Sequence, residues 1–168
     1  GSAVTLNNVS GASLTLLRDL SVGSLAGSGT TGGHIALGGN TLTAGGNNTS
    51  TTYAGVISGV GSLIKQGTGI LTLSGASTYS GNTTVSGGTL QVGSAATLGG
   101  GTYSGALSIT SGATFDYAST AAQLLTGTVS GAGAVLKSGA GTLSLLGNNT
   151  FSGGVTLSAG TLGVYTNT

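Results

Sequence analysis

The chain has 168 residues, of which 36 are Gly, 28 Thr and 23 Ser, so these three types make up about half of it. Its formal net charge is +1, from three basic and two acidic side chains, which gives no electrostatic footprint for nucleic acid. The absence of Pro excludes collagen, the 38% hydrophobic content excludes a flexible linker, and the absence of Cys excludes disulfides. Apolar runs are short, whereas a membrane-spanning helix needs about 20 apolar residues.

Short β-strands are predicted along the whole chain. Gly, Thr, Ser and Val are poor helix formers, and apolar and polar residues alternate with the period of a strand that buries one face. The clearest segments, in chain order, are Leu71-Thr72-Leu73, Leu90-Gln91-Val92, Leu107-Ser108-Ile109 and Leu143-Ser144-Leu145. Each segment is followed by Gly, Asn or Ser-Gly, which form tight turns at low cost. The sequence therefore predicts an all-β protein.

The sequence also repeats itself at a constant offset. Residues 55–92 align with residues 127–164 without a gap, and 19 of the 38 pairs are identical. A shorter pattern of Thr, an aromatic residue, Ser or Ala, and Gly recurs within and between these copies. Together with the 72-residue offset between the copies, this pattern places a large apolar residue every 22 to 26 positions. We therefore predict one ladder of stacked side chains, formed by Tyr53, Tyr79, Tyr103, Leu125 and Phe151.

A period of roughly 24 residues fits one coil of a β-solenoid with three short strands per coil. Successive coils stack at about 4.8 Å, so we predict a single-stranded parallel β-helix of about seven coils that spans residues 1–168 as one segment. A β-sandwich is the alternative all-β fold and fits this period less well. Thr and Ser are expected on outward faces. The expected corner residues of the two copies are Gly59, Gly61, Gly67, Gly69, Gly75, Gly131, Gly133, Gly139, Gly141 and Gly147.

The motif of the two copies is long and specific. From Gly61 the first copy reads GSLIKQGTGILTLSG and continues with TYSG at 78–81 and GTLQV at 88–92. This pattern closely resembles the autotransporter-associated β-strand repeat, also called the passenger-associated transport repeat. The second copy, residues 133–164, resembles it equally, with Phe151 at the aromatic position. The first copy has Ser77 where the family pattern has Asn.

This resemblance implies an excerpt of a longer passenger domain from the type V secretion system of a Gram-negative bacterium. Such a passenger is secreted or displayed at the cell surface and is anchored by its own C-terminal outer-membrane β-barrel. The repeat is implied to aid passenger folding and translocation and to act as a stalk or scaffold. Adhesion to a host or bacterial surface ligand, autoaggregation and biofilm formation are implied for many whole passengers. We expect a monomer, and Gly1-Ser2 is compatible with a cloning remnant.

The sequence predicts no catalytic, cofactor or metal residues. Asp19 and Asp116 are expected about four coils, or about 19 Å, apart, whereas glycosidase carboxylates need about 5 to 9.5 Å. His34, the single histidine, is expected to be a solvated turn residue, and no G-x-S-x-G motif accompanies it. The solenoid calcium motif G-G-x-G-x-D is absent. The G-x-G pairs lack the G-K-[ST] continuation of phosphate loops and are interpreted as corners.

The remaining charges are expected to lie in solvent. Lys65 and Lys137 are predicted to occupy equivalent places three coils apart, where they confer solubility and protect strand edges. Arg18 and Asp19 are expected to form a solvated charge pair.

A glycan-binding or an ice-binding solenoid is the alternative function. Ice-binding solenoids carry T-x-T pairs in register on one flat face, but the pairs here do not follow the regular spacing of the coils; they lie at Thr41/Thr43, Thr49/Thr51, Thr126/Thr128 and Thr166/Thr168. Glycan binding stacks sugar rings on surface aromatic side chains, for which Tyr117 and Tyr165 are the candidates.

Overall fold

Alternating apolar and polar residues form short parallel strands throughout a computed structural model that describes residues 1–27, 29 and 33–165. Within these residues the strands are β1 (Ala3–Leu6), β2 (Ser13–Thr15), β3 (Leu20–Val22), β4 (Ser24–Gly27), β5 (His34–Ala36), β6 (Thr41–Ala44), β7 (Thr51–Tyr53), β8 (Ile57–Ser58), β9 (Ser62–Lys65), β10 (Ile70–Leu73), β11 (Thr83–Val85), β12 (Thr89–Val92), β13 (Thr102–Tyr103), β14 (Leu107–Ile109), β15 (Thr114–Tyr117), β16 (Gln123–Leu125), β17 (Val129–Ser130), β18 (Ala134–Lys137), β19 (Thr142–Leu145), β20 (Val155–Leu157) and β21 (Thr161–Val164). A 3₁₀ turn at Gly99–Gly101 precedes β13. No helix of this part of the chain is long and apolar enough to cross a membrane.

The strands stack into three faces of a solenoid. Face 1 is an eight-stranded parallel sheet in the order β1-β4-β7-β10-β12-β15-β18-β20. Face 3 is a six-stranded sheet in the order β3-β6-β9-β11-β14-β17. Face 2, which each coil forms between the other two, consists of the sheets β2-β5-β8 and β13-β16-β19-β21. In the fourth coil face 2 has no strand, but Thr78 still donates its N–H to the Ile57 carbonyl at 2.8 Å and continues the stack.

The eight strands of face 1 give eight turns, which confirms the predicted parallel β-solenoid and raises the coil number from about seven. The coils vary in length: Leu71 pairs with Leu90 across a short coil, whereas Gly27 pairs with Tyr53 across a longer one. The average coil is about 22 residues, and the stack is about 34 Å long at about 4.8 Å per coil.

The core is a set of inward rows that run along the axis. One row of face 1 passes through Leu71, Leu90, Phe115 and Val135, which pair strand by strand. All four are nearly inaccessible to solvent. Each inward residue therefore packs on the same position of the neighbouring coil, and the buried apolar area of these rows stabilises the stack.

Candidate functional site: the corners and inward rows of the repeats

The five side chains predicted to form one ladder lie on three different faces. Tyr53 ends β7 on face 1 and pairs with Leu73. Tyr103 pairs with Leu125 on face 2, and Tyr79 joins that face beside Ile57. Phe151 follows Thr150, whose N–H binds the carbonyl of Val129 on face 3. A single ladder is therefore wrong, because coils of unequal length carry the short aromatic pattern to different faces.

Tyr79 and Tyr103 form a buried polar cluster within the core. Their rings meet edge to face with centroids 5.6 Å apart, and Thr83 Oγ1 lies 2.7 Å from both hydroxyl oxygens. The Tyr103 hydroxyl also donates to the Gly81 carbonyl. Burial raises the pKa of Tyr103 to about 12, against the lowering effect of its hydrogen bonds with Thr83 and Tyr79. It raises the pKa of Tyr79 as well, so both side chains pack as neutral phenols.

The two long sequence copies are rotated by one face relative to each other. Lys65 ends β9 on face 3, whereas Lys137 ends β18 on face 1. The offset between the copies corresponds to about three and one-third coils, not to a whole number of them. The prediction that the lysines occupy equivalent places three coils apart is therefore wrong, although part of their local surroundings matches.

Both lysines are buried, which corrects the prediction that they lie in solvent. Lys65 is 1% exposed and Lys137 is 0% exposed. Lys65 belongs to the inward row of face 3, where it pairs with Ala44 and Val85. Burial lowers the pKa of each ammonium group, and for Lys137 the charge of nearby Asp116 opposes this effect.

Each lysine turns into the corner that follows its own strand. Lys65 Nζ donates to the carbonyls of Gln66 at 2.8 Å and Gly67 at 3.0 Å, and to that of Gly87 in the next coil at 3.1 Å. Lys137 Nζ donates to the carbonyl of Gly139 and to that of Ala159 in the next coil at 3.3 Å. In the alignment of the two copies Gly139 matches Gly67 and Ala159 matches Gly87, so these two contacts correspond. The contact of Lys65 with the Gln66 carbonyl has no counterpart at Lys137.

The ten predicted corner glycines lie where neighbouring coils approach most closely. At seven of them a Cβ atom would overlap atoms of the preceding coil without any unusual φ; these are Gly61, Gly69, Gly75, Gly133, Gly139, Gly141 and Gly147. The other three, Gly59, Gly67 and Gly131, have positive φ of 105°, 73° and 100°. Contact between coils therefore requires glycine at all ten positions. Turn conformation, which the sequence suggested as the reason, adds to it at these three.

Parts of the chain are similar to known proteins. Residues 63–92 and 135–164 match the family described as passenger-associated-transport-repeat. The chain is also similar to the adhesin BmaC autotransporter of Brucella suis biovar 1 (strain 1330), with 48% identity over 82 residues. The two segments are passenger-associated transport repeats. The match to BmaC covers 47% of this chain but 2% of that protein, and no solved structure matches. The family expected from the motif residues is thus confirmed.

Polar side chains both inside and outside the two passenger-associated transport repeats also join neighbouring coils. Asn40 Nδ2 donates to the Leu16 carbonyl at 2.8 Å, and Asn82 and Asn149 each accept from a backbone N–H of an adjacent coil. Gln123 is fully buried and binds both the N–H and the carbonyl of Leu98, at 2.7 and 3.1 Å. The Gln123 side-chain amide thus makes the two hydrogen bonds to Leu98, beside the 3₁₀ turn, that a neighbouring backbone would otherwise make. Gln123 lies two positions before Leu125 in β16, so the strand period already placed its side chain inward, and this was the available signal.

The candidate catalytic groups lie in different parts of the solenoid. Asp19 is in the first coil, where its Oδ1 accepts from the Thr41 N–H at 2.7 Å. Asp116 is in the sixth coil on face 1, bound by Ser138 Oγ and Gln91 Nε2 at 2.5 and 2.8 Å. Five coil steps correspond to about 24 Å, more than the expected separation. Among the described residues no three His, Asp or Glu side chains gather as metal ligands.

Two other expectations about polar residues need correction. His34 is half-buried at the start of β5, and its Nδ1 accepts from the Val56 N–H at 3.1 Å, so it joins two coils instead of lying free in a turn. Asp19 accepts a hydrogen bond from the backbone of the next coil, a structural contact that the expected solvated charge pair with Arg18 did not include.

The residues considered for glycan or ice binding do not share a surface. Tyr117 is buried in the inward row of face 1, so it is not available to a glycan; Tyr165 is 59% exposed. Thr41 and Thr43 lie in β6 on face 3, whereas Thr51 lies in β7 on face 1. Thr166 and Thr168 lie outside the described residues.

Proposed function

We propose that the chain is a structural module of an autotransporter passenger displayed at the surface of a Gram-negative bacterium. In this role it acts as a rigid stalk or scaffold and aids the folding and translocation of the passenger. The observation that supports the proposal most strongly is the pair of passenger-associated transport repeats within one continuous parallel stack. The passenger's own C-terminal outer-membrane barrel is then the partner that anchors it.

The stack explains how such a module would aid export. Each coil presents unpaired backbone groups and an apolar row to the coil that follows, so coils add one after another onto a formed template. Folding outside the membrane then biases movement of the chain outward. An extended chain with a net charge of +1 and no Cys suits passage through a narrow pore.

An adhesive contribution is the second part of the proposal. The protein with 48% identity over 82 residues is named an adhesin. The outward rows carry Thr, Ser and Gln, and the half-buried Thr72 and Gln91 are linked by a hydrogen bond across two coils. Such a hydroxyl- and amide-rich surface suits contact with polar surface ligands, including those that support autoaggregation and biofilm formation.

The test of the proposal is a pair of deletions in the chain placed between an N-terminal epitope and an autotransporter barrel. Removal of residues 114–133 takes out one coil. Because Thr114 pairs with Ala134, the strand that begins at Ala134 then takes the place of the strand that began at Thr114, and the register is kept. Removal of residues 114–123 takes out half a coil and breaks the register. Epitope accessible on intact cells is measured by flow cytometry and divided by total protein.

We expect the in-register deletion to keep surface display within about twofold of the parent, and the half-coil deletion to lower it by about tenfold, because only the first leaves a continuous template. Equal display of the half-coil deletion and the parent would contradict a role in folding and translocation. Aggregation of cells that display the parent, compared with cells that display the barrel alone, tests the adhesive part separately.

A further inference from the structure

The corner of each repeat surrounds a buried cation with backbone oxygen atoms. An ammonium group has three N–H donors, and Lys65 Nζ finds three acceptors, the carbonyls of Gln66, Gly67 and Gly87, at 2.8 to 3.1 Å. All three are main-chain atoms, so the site is created by the course of the backbone.

The second repeat builds the same corner on another face. Lys137 Nζ binds the carbonyls of Gly139 and Ala159, and in place of a third carbonyl it lies 5.5 Å from the centroid of the Tyr117 ring, within the range of a cation–π contact. The two carbonyl contacts are therefore rebuilt from equivalent motif residues even though the surrounding face differs, which supports the motif as their origin.

The acceptors belong to two consecutive coils. Gly67 lies in the corner directly after Lys65, whereas Gly87 lies in the equivalent corner one coil later, between β11 and β12. Parallel β-helix repeats of another type hold a calcium ion between their turns, and backbone carbonyls are ordinary calcium ligands. Here a side chain of the repeat supplies the positive charge instead.

We infer that the G-x-G corner of each passenger-associated transport repeat is a binding site for a primary ammonium group, and that the repeat lysine fills it as a built-in cation that joins its coil to the next. This role goes beyond the proposed function and does not depend on secretion. It gives the solenoid a cation at its corners that no change in external ion concentration removes.

The test replaces the lysine and returns the missing group as a small molecule. Lys65→Ala removes three methylenes and the ammonium, which propylammonium supplies. We expect the variant to unfold at a Tm lower by about 10 °C, since charged hydrogen bonds are lost in a chain of this size. Propylammonium chloride should restore at least half of that loss, whereas 1-propanol, sodium chloride and potassium chloride at equal concentration should restore none.

Two further variants separate the cation from mere packing. Lys65→Met fills the space without a donor, so we expect it to keep at least half of the Tm loss of Lys65→Ala. Val85→Ala shortens the neighbour of Lys65 in the same inward row and should lose stability that propylammonium does not restore. Lys65→Met with the Tm of the parent, or rescue of Lys65→Ala by 1-propanol or potassium chloride as good as by propylammonium, would overturn the inference.

Hydrogen exchange reports on the joining of coils and remains informative if Lys65→Ala folds poorly. In Lys65→Met we expect the amides of residues 86–89, in the next coil, to exchange about tenfold faster than in Val85→Ala, because the Gly87 carbonyl has lost its partner. Equal exchange in the two variants would show that the lysine does not hold the following coil.

Discussion

At the scale of the residue, most polar groups of the core form hydrogen bonds that join one coil to the next. Thr83 lies between the hydroxyls of Tyr79 and Tyr103, and Gln123 stands in for a backbone pair at Leu98. An unpaired buried polar group costs about 1–3 kcal/mol, so such groups fix the register as well as the stability. Polar side chains that face inward are therefore structural in this fold.

The tyrosine cluster makes stability depend on alkaline pH. The pKa of Tyr103 is about 12 in the folded chain and about 10 in an unfolded one. Its contribution is therefore fully present below pH 10 and is lost as the pH rises from 10 towards 12, by about 2 kcal/mol at pH 12. The unfolding free energy from urea titrations at pH 9 to 12 should fall less steeply in Tyr103→Phe than in the parent.

Other groups also titrate in this pH range, and they are the same in the parent and in Tyr103→Phe. Tyr79 contributes with the same sign, because its pKa is also raised. Lys65 and Lys137 contribute with the opposite sign, since their lowered pKa values favour the fold as the pH rises towards the unfolded value. Parallel slopes for Tyr103→Phe and the parent would contradict the assignment to Tyr103.

At the scale of the element, the corners show why glycine dominates the sequence. Gly61 has no positive φ, yet a Cβ there would overlap the Asn40 carbonyl of the preceding coil. We expect Gly61→Ala to lower the unfolding free energy by about 2 kcal/mol, because the added methyl pushes two coils apart. Urea titration followed by circular dichroism measures the change.

Gly39 provides a matched control for that substitution. It lies in the same corner one coil earlier, and a Cβ there meets no atom within 4 Å. Gly39→Ala should therefore change the unfolding free energy by less than about 0.5 kcal/mol. Equal losses for the two substitutions would mean that turn conformation, and not the contact between coils, determines the need for glycine.

The strands were predictable from the sequence, while their grouping into coils was only partly so. Alternation located β10, β12, β14 and β19 because one buried face imposes a period of two. The aromatic pattern overstated the coil length and placed Phe151 in a ladder with Tyr103, since it marks corners of different faces. A single pattern cannot show how many residues a corner takes when Gly allows corners of different lengths.

The buried lysines were missed for a different reason. Lys65 lies two positions after Leu63, and Lys137 two after Val135, so the strand period already placed both inward. Because Lys is almost never fully buried unless it is paired, both side chains were nevertheless expected to lie in solvent. The missing information was the set of carbonyl partners, which depends on how the next coil turns and is not visible in one strand.

At the scale of the whole molecule, stability comes from repetition along one axis. Each coil contacts mainly its two neighbours, so a change in one coil is felt by the next and weakly beyond it. The same property suits a passenger module, because length can vary by whole coils without a new fold. Register between coils is thus the feature on which both the fold and the proposed function depend.

The register is tested most directly by disulfide formation between engineered cysteines, which the absence of native Cys makes unambiguous. Thr72 pairs with Gln91 across β10 and β12, within the Cα separation of about 4.4–6.8 Å that a disulfide needs. The mean period of about 24 residues expected from the sequence would instead pair Thr72 with Ala96. We predict that Thr72→Cys/Gln91→Cys forms the disulfide on mild oxidation, while Thr72→Cys/Ala96→Cys keeps two thiols that react with maleimide. The reverse result would contradict the fold described here.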